Sequence, residues 1–124
     1  MHQSDWKSVS DVVGQAALDH LESLPDRRVH PAASYDEIRA ALDLGLPTTG
    51  VDPAEVVADL VRDLGPNVAA HASGRYFGFV IGGLHPAAWG AELLVSTWDQ
   101  NAGLYPVTPG VAVAEELAAE WVLD

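Results

Sequence analysis

The sequence predicts a mainly α-helical chain, extended helices joined by irregular loops with little or no sheet. Three observations lead there. Apolar residues recur at helical spacing along several stretches, two helix-start signatures of the Ser/Asp-x-x-Glu type precede such stretches, and the aromatic-rich run at 76–81 is broken by glycine. Any strand is confined to Phe77–Ile81 at most.

The first helix is expected over about Ser8–Leu24, where Val9, Val12, Val13, Ala16, Ala17, Leu21 and Leu24 share one stripe. Pro25-Asp26 breaks it, and residues 27–33 read as an extended connector because His30 is pushed out of the helical region by Pro31. Ser34-Tyr35-Asp36-Glu37 is a capping box that opens a short helix from Tyr35 to about Leu42. Residues 46–51 form a turn-rich linker. Asp52-Pro53-Ala54-Glu55 then starts a helix whose apolar face is Val56, Val57, Leu60, Val61 and Leu64, stopped by Gly65-Pro66.

Ser73-Gly74-Arg75-Tyr76-Phe77-Gly78-Phe79-Val80-Ile81-Gly82-Gly83 alternates bulky aromatics with glycines. The glycines add backbone freedom and no packing area, so something is expected to approach this backbone closely. Pro86 opens a helix carrying Trp89, Leu93, Leu94, Thr97 and Trp98. Residues 99–107 read as a loop, and Thr108-Pro109 begins the last helix, with Val113, Leu117 and Trp121 at four-residue steps. That helix shows no stop signal before Asp124 and reads as interrupted.

At 124 residues the chain has the length of one domain, and 48 % hydrophobic content is too apolar for disorder. Eighteen acidic residues oppose six basic ones, a formal net charge of -12, and no Lys/Arg cluster exists to neutralise phosphates; nucleic acid is not an expected partner. The absence of cysteine excludes disulfides and thiolate sites. Apolar stretches too short for a membrane span and an N-terminus with no signal-peptide core point to a soluble cytoplasmic protein without a membrane partner.

No complete active site is legible. His2, His20, His30, His71 and His85 lack metal-ligand spacing, so no metal is expected. Glu115, Glu116 and Glu120 read as the solvated side of the last helix. Asp99-Gln100-Asn101 admits two readings, a binding loop or a loop held by its own side-chain-to-backbone hydrogen bonds. There is no G-x-S-x-G elbow, and Gly82-Gly83 lacks the rest of a phosphate-binding motif. The one lysine, Lys7, lies near the N-terminus.

An ordered series of segments nevertheless resembles the N-terminus of group II pyridoxal-phosphate-dependent amino-acid decarboxylases, the aromatic-L-amino-acid and tyrosine decarboxylase-like branch above all. The series is His20-Leu21-Glu22-Ser23-Leu24-Pro25-Asp26-Arg27, Tyr35-Asp36-Glu37-Ile38, Asp52-Pro53-Ala54-Glu55-Val56, the RYFGFVIGG run from Arg75, the WDQNAGLY run from Trp98, and Thr108-Pro109 with Glu115-Glu116. It spans the chain from about Val9. Many members carry His-Pro where this chain has Ser73-Gly74, and proline where it has Ile81.

The resemblance implies a helical N-terminal segment of an enzyme of the type I aminotransferase fold, with residues 1–72 as a helical arm and 73–124 as the glycine-aromatic turn and two helices that lead into a cofactor domain. It implies a homodimer, or a separately encoded cofactor domain, as partner and an amino acid as substrate. Phe79, Val80, Ile81 and Gly82 would contact the substrate side chain, and the Asn101–Tyr105 loop, with Asn101 and Tyr105 as site residues, would approach the other subunit's active site. The family's cofactor, pyridoxal 5'-phosphate, is expected not to be bound by this chain alone, because the family's imine lysine, phosphate loop and ring-nitrogen aspartate have no counterpart here; no catalytic or cofactor-binding residue is assigned. Two other readings are a non-enzymatic helical interaction or regulatory module, and a self-contained bundle with Tyr76, Phe77 and Phe79 in its core.

Overall fold

A computed structural model describes residues 3–43 and 45–123. His2 and Asp124, named above, lie outside them. The described residues are mainly helical: α1 (Gln3–Ser23), α2 (Tyr35–Leu42), α3 (Pro53–Leu64), α4 (Pro86–Trp98) and α5 (Pro109–Leu123), with no strand among them. The chain divides into two compact units, Met1–Gly83 and Leu84–Asp124. Residues 73–83, which the sequence groups with the following helices, belong by their contacts to the first unit.

In the first unit α1 and α2 both pack on α3. α1 begins five residues before the expected Ser8. Ser8 and Ser10 lie inside the helix, where Ser8 Oγ donates to Ser4 O at 3.1 Å and Ser10 Oγ to Trp6 O at 2.7 Å. Val9, Val12 and Ala16 are half-buried, whereas Val13 lies on the exposed edge of the predicted stripe. An open groove of about 520 Å³ runs between α1 and α3, floored by Val12, Ala16, Ala58 and Val61 and edged by Asp11, Asp19 and Arg62.

α2 forms where the capping box places it. Glu37 N donates to Ser34 Oγ at 3.3 Å, and Ser34 N donates to Glu37 Oε2 at 2.7 Å. The backbone hydrogen bond from Ser34 holds the Glu37 carboxyl below the usual range, with the Ser34 hydroxyl adding to it. α3 starts as predicted, Asp52 Oδ1 accepting from Ala54 N at 2.9 Å and Glu55 N at 3.2 Å with Pro53 in the first turn. On its outer face Arg62 grips Asp63 with two parallel bonds, Nε to Oδ1 at 2.8 Å and Nη2 to Oδ2 at 2.7 Å, which lowers the Asp63 carboxyl.

Gly65 does end α3, but not through the left-handed cap that glycine invites. Its φ is −50°, and the chain tightens into a 3-10 turn at Gly65–Asn67 before extending at Val68. α4 begins at Pro86 with the His85 imidazole as cap, Nδ1 accepting from Ala87 N at 3.2 Å. It ends at Asp99, whose φ of 48° places a short polar side chain where a left-handed residue is needed.

Burial is sparse. Among the described hydrophobic residues only Ala70 is fully buried, and no large side chain is. The accessible surface is 9904 Å². A single globule of this mass would expose about 6,400 Å², and two separate globules of the units' sizes about 7,600 Å² together. The helices therefore form by local rules while much of their apolar surface stays uncovered.

Because the Glu37 carboxyl is lowered in the folded chain, the capping box contributes its stability above the ordinary carboxylate pKa, about 4.3, and loses it as pH falls below that value. The Ser34 and Glu37 amide resonances should move together on acidification, and Ser34→Ala should abolish the concerted movement. Asp52→Ala should lower the stability of the first unit by about 1 kcal/mol in urea unfolding, because α3 is the helix on which the other two rest.

Candidate functional site

The glycine-aromatic turn is held by two arginines acting on backbone. Arg75 Nη2 donates to Leu24 O at 3.2 Å and also to Arg27 O. Arg27 Nη2 in turn donates to Gly65 O and, at 3.5 Å, to Val68 O. The end of α1, the connector after it and the end of α3 are thereby tied to the root of the turn. Ala70 N donates to Val29 O at 2.9 Å, and the buried Ser73 accepts from Arg75 N through Oγ at 3.2 Å and from Tyr76 N through its carbonyl at 3.0 Å.

Tyr76 is the pivot above this root. Its ring stands edge-on to His71 at a centroid distance of 4.6 Å and to His30 at 6.0 Å. A Cβ at Gly78 would lie 3.4 Å from the Tyr76 hydroxyl, an ordinary van der Waals contact, so the close approach expected of this backbone is not seen at Gly78. Gly74, Gly82 and Gly83 have open space around them.

Phe77–Ile81 forms no strand; Phe79 and Val80 have φ of 52° and 56°. The left-handed conformation is taken here by an aromatic and a β-branched residue, at about 1–2 kcal/mol per residue. None of the described residues covers them. Phe77 and Phe79 are each 91 % exposed, which removes the self-contained bundle with these rings in its core. Phe79, Val80 and Ile81 thus share one exposed turn, with Ile81 N closing it onto Gly78 O at 3.2 Å, and Gly82 follows directly after it.

Asn101 and Tyr105 share one loop, in the second unit. Asn101 Oδ1 accepts from Gly103 N at 3.0 Å, and Gln100 Nε2 donates to Trp98 O at 2.7 Å. Thr108, buried at the start of α5, donates through Oγ1 to Asn101 O and, at 3.2 Å, to Leu104 O. Of the two readings of this polar run, the self-bonded loop accounts for the Gln100 and Asn101 side chains. Tyr105 is exposed. Sequence reasoning missed the parts of Arg27, Arg75 and Thr108; all three act on carbonyls of distant or loop residues, which no local spacing encodes.

Pyridoxal phosphate requires an amine for its imine, donors for its phosphate and an anion at its ring nitrogen. The described residues do not fit it. Lys7 stands on the exposed surface of α1, ion-paired with Asp11 at 2.5 Å, and the open surroundings of Gly82 and Gly83 make no cradle. No group of three or more His, Asp or Glu side chains among the described residues is arranged to hold a metal, and no helix there is long and apolar enough to cross a membrane. Comparison with known protein families, characterised proteins and solved structures gives no match.

Replacing Val80 with asparagine, which tolerates φ near 56°, should raise the stability of the first unit by about 0.5–1 kcal/mol in urea unfolding, since no packing is lost at so exposed a site. Arg75→Ala should lower it by about 1 kcal/mol and loosen the turn, seen as increased amide exchange at residues 73–81.

Proposed function

We propose that this chain is the N-terminal part of a pyridoxal-phosphate-dependent amino-acid decarboxylase, a carboxy-lyase of the type I aminotransferase fold, contributing dimer contacts and one wall of the substrate pocket and inactive by itself. The ordered motif series from His20 to Glu116 carries this reading. The large uncovered surface supports its incompleteness, since an excess of roughly 2,000 Å² over two separate globules is of the size that stable assemblies bury.

In this reading the exposed turn presents Phe79, Val80 and Ile81 to an aromatic or acidic amino-acid side chain once a cofactor-bearing body closes over it. The strain at Phe79 and Val80 is then a fixed feature of the pocket wall, held by the Arg27–Arg75 anchorage beneath it. The chemistry of carbon dioxide loss belongs to the other body. This chain supplies shape and exclusion of water from one side.

Mixing the chain with a separately expressed cofactor domain of an aromatic-amino-acid decarboxylase stripped of its own N-terminal segment should raise carbon dioxide release at least tenfold over that domain alone. Phe79→Ala in the added chain should weaken substrate use without weakening assembly. No gain on mixing defeats the decarboxylase reading and leaves the regulatory-module alternative in its place.

A further inference from the structure

We propose that the α4–α5 unit docks through an apolar, carboxylate-bordered face onto a different polypeptide body whose own apolar surface is edged by lysine or arginine, and not onto a second copy of this chain. The inference shares with the reading above only the existence of a second body. Its basis is the surface chemistry of residues 84–124, independent of any decarboxylase activity.

α4 and α5 do not pack along one another. Each is a single helix of 13 or 15 residues, a length at which isolated helices are marginal in water. Both are nonetheless rich in large apolar side chains that remain exposed, including Leu93, Leu94 and Trp98 on α4 and Val113, Leu117 and Trp121 on α5. At 100° per residue Val113, Leu117 and Trp121 form one stripe, continued round the helix by Ala114, Ala118 and Val122. Glu116 and Glu120 border it on one side and Glu115 on the other. Where α4 ends and α5 begins, Trp98, Gly110, Val111 and Ala114 line a shallow groove of about 440 Å³.

Charge selects the occupant. Residues 84–124 contain Glu92, Asp99, Glu115, Glu116, Glu120 and Asp124 and no lysine or arginine; all six basic residues of the chain precede residue 76. A copy meeting this face with the same face would set carboxylate against carboxylate around a desolvated core, a juxtaposition that disfavours association. The first unit of a copy also offers few free cations. Lys7, Arg39 and Arg62 are paired with Asp11, Asp43 and Asp59/Asp63, and Arg27 and Arg75 are committed to carbonyls, which leaves the exposed Arg28 as the one basic side chain of the six without such a partner among the described residues. An apolar surface rimmed with cations on another body satisfies both the stripe and its borders.

The test uses the full chain and two fluorescent helical peptides with the same leucine face, one bordered by lysine and the other by glutamate, with binding read by anisotropy. The lysine peptide should bind, at least tenfold more weakly at 500 mM than at 50 mM NaCl, and the glutamate peptide should not. E115Q/E116Q/E120Q should weaken binding at least tenfold, whereas the equal charge change D19N/E22Q/D26N in the first unit should leave it within about twofold. Leu117→Ala with Trp121→Ala should also abolish binding, with helicity followed by circular dichroism and the salt series on the unaltered chain as the measurement that stands if a variant unfolds. Binding of neither peptide, equal binding of both, an equal effect of the two charge-neutralised variants, or self-association of the chain in sedimentation that Trp121→Ala abolishes would each overturn the proposal.

Discussion

Two guanidinium groups hold the first unit in register. Arg27 reaches Gly65 O at the C-cap of α3 and Val68 O just past the 3-10 turn, and Arg75 reaches Leu24 O beyond the end of α1 and Arg27 O in the connector. Helix C-termini present carbonyls with no partner and a partial negative charge, so a cation there serves as hydrogen-bond donor and dipole complement at once. With only Ala70 fully buried among the described hydrophobic residues, the unit cannot rely on a packed core, and these polar ties take a correspondingly larger share in fixing where the turn stands.

The same scarcity of burial shapes everything the turn does. A left-handed Val80 with its side chain in water gains nothing from the chain around it, yet the segment is anchored at Ser73, Arg75 and Tyr76. The helices of the second unit carry the same feature in another form, apolar stripes between carboxylates on helices that do not cover one another. Both units thus present apolar side chains that the described residues leave uncovered.

Much of the candidate site was legible as sequence and misread as conformation. The run from Ser73 to Gly83 stood out because aromatics and glycines alternate, and it does form an exposed turn. The positive φ values fall on Phe79 and Val80, the two residues between Gly78 O and Ile81 N, in a mirror-image turn that glycine or asparagine would adopt more readily. The Asn101–Tyr105 loop was legible as a loop, and the pairing of Asn101 Oδ1 with Gly103 N follows from a spacing of two. The Thr108 hydroxyl reaching back seven residues to Asn101 O has no such local rule.

By itself the sequence determined the elements whose causes are local. Ser34 with Glu37 and Asp52 with Pro53 set the starts of α2 and α3 because the donors they satisfy lie two or three residues away, and the composition set the charge asymmetry that leaves residues 84–124 without a cation. Only the tertiary structure decided that the glycine-aromatic turn belongs with the first unit, that Arg27 and Arg75 are its anchors, and that Phe77 and Phe79 face solvent and not a core. The reason is separation along the chain. Arg27 and Gly65 are 38 residues apart and Arg75 and Leu24 are 51, and whether such groups meet depends on how α1 and α3 pack, which hydrophobic spacing permits but does not specify.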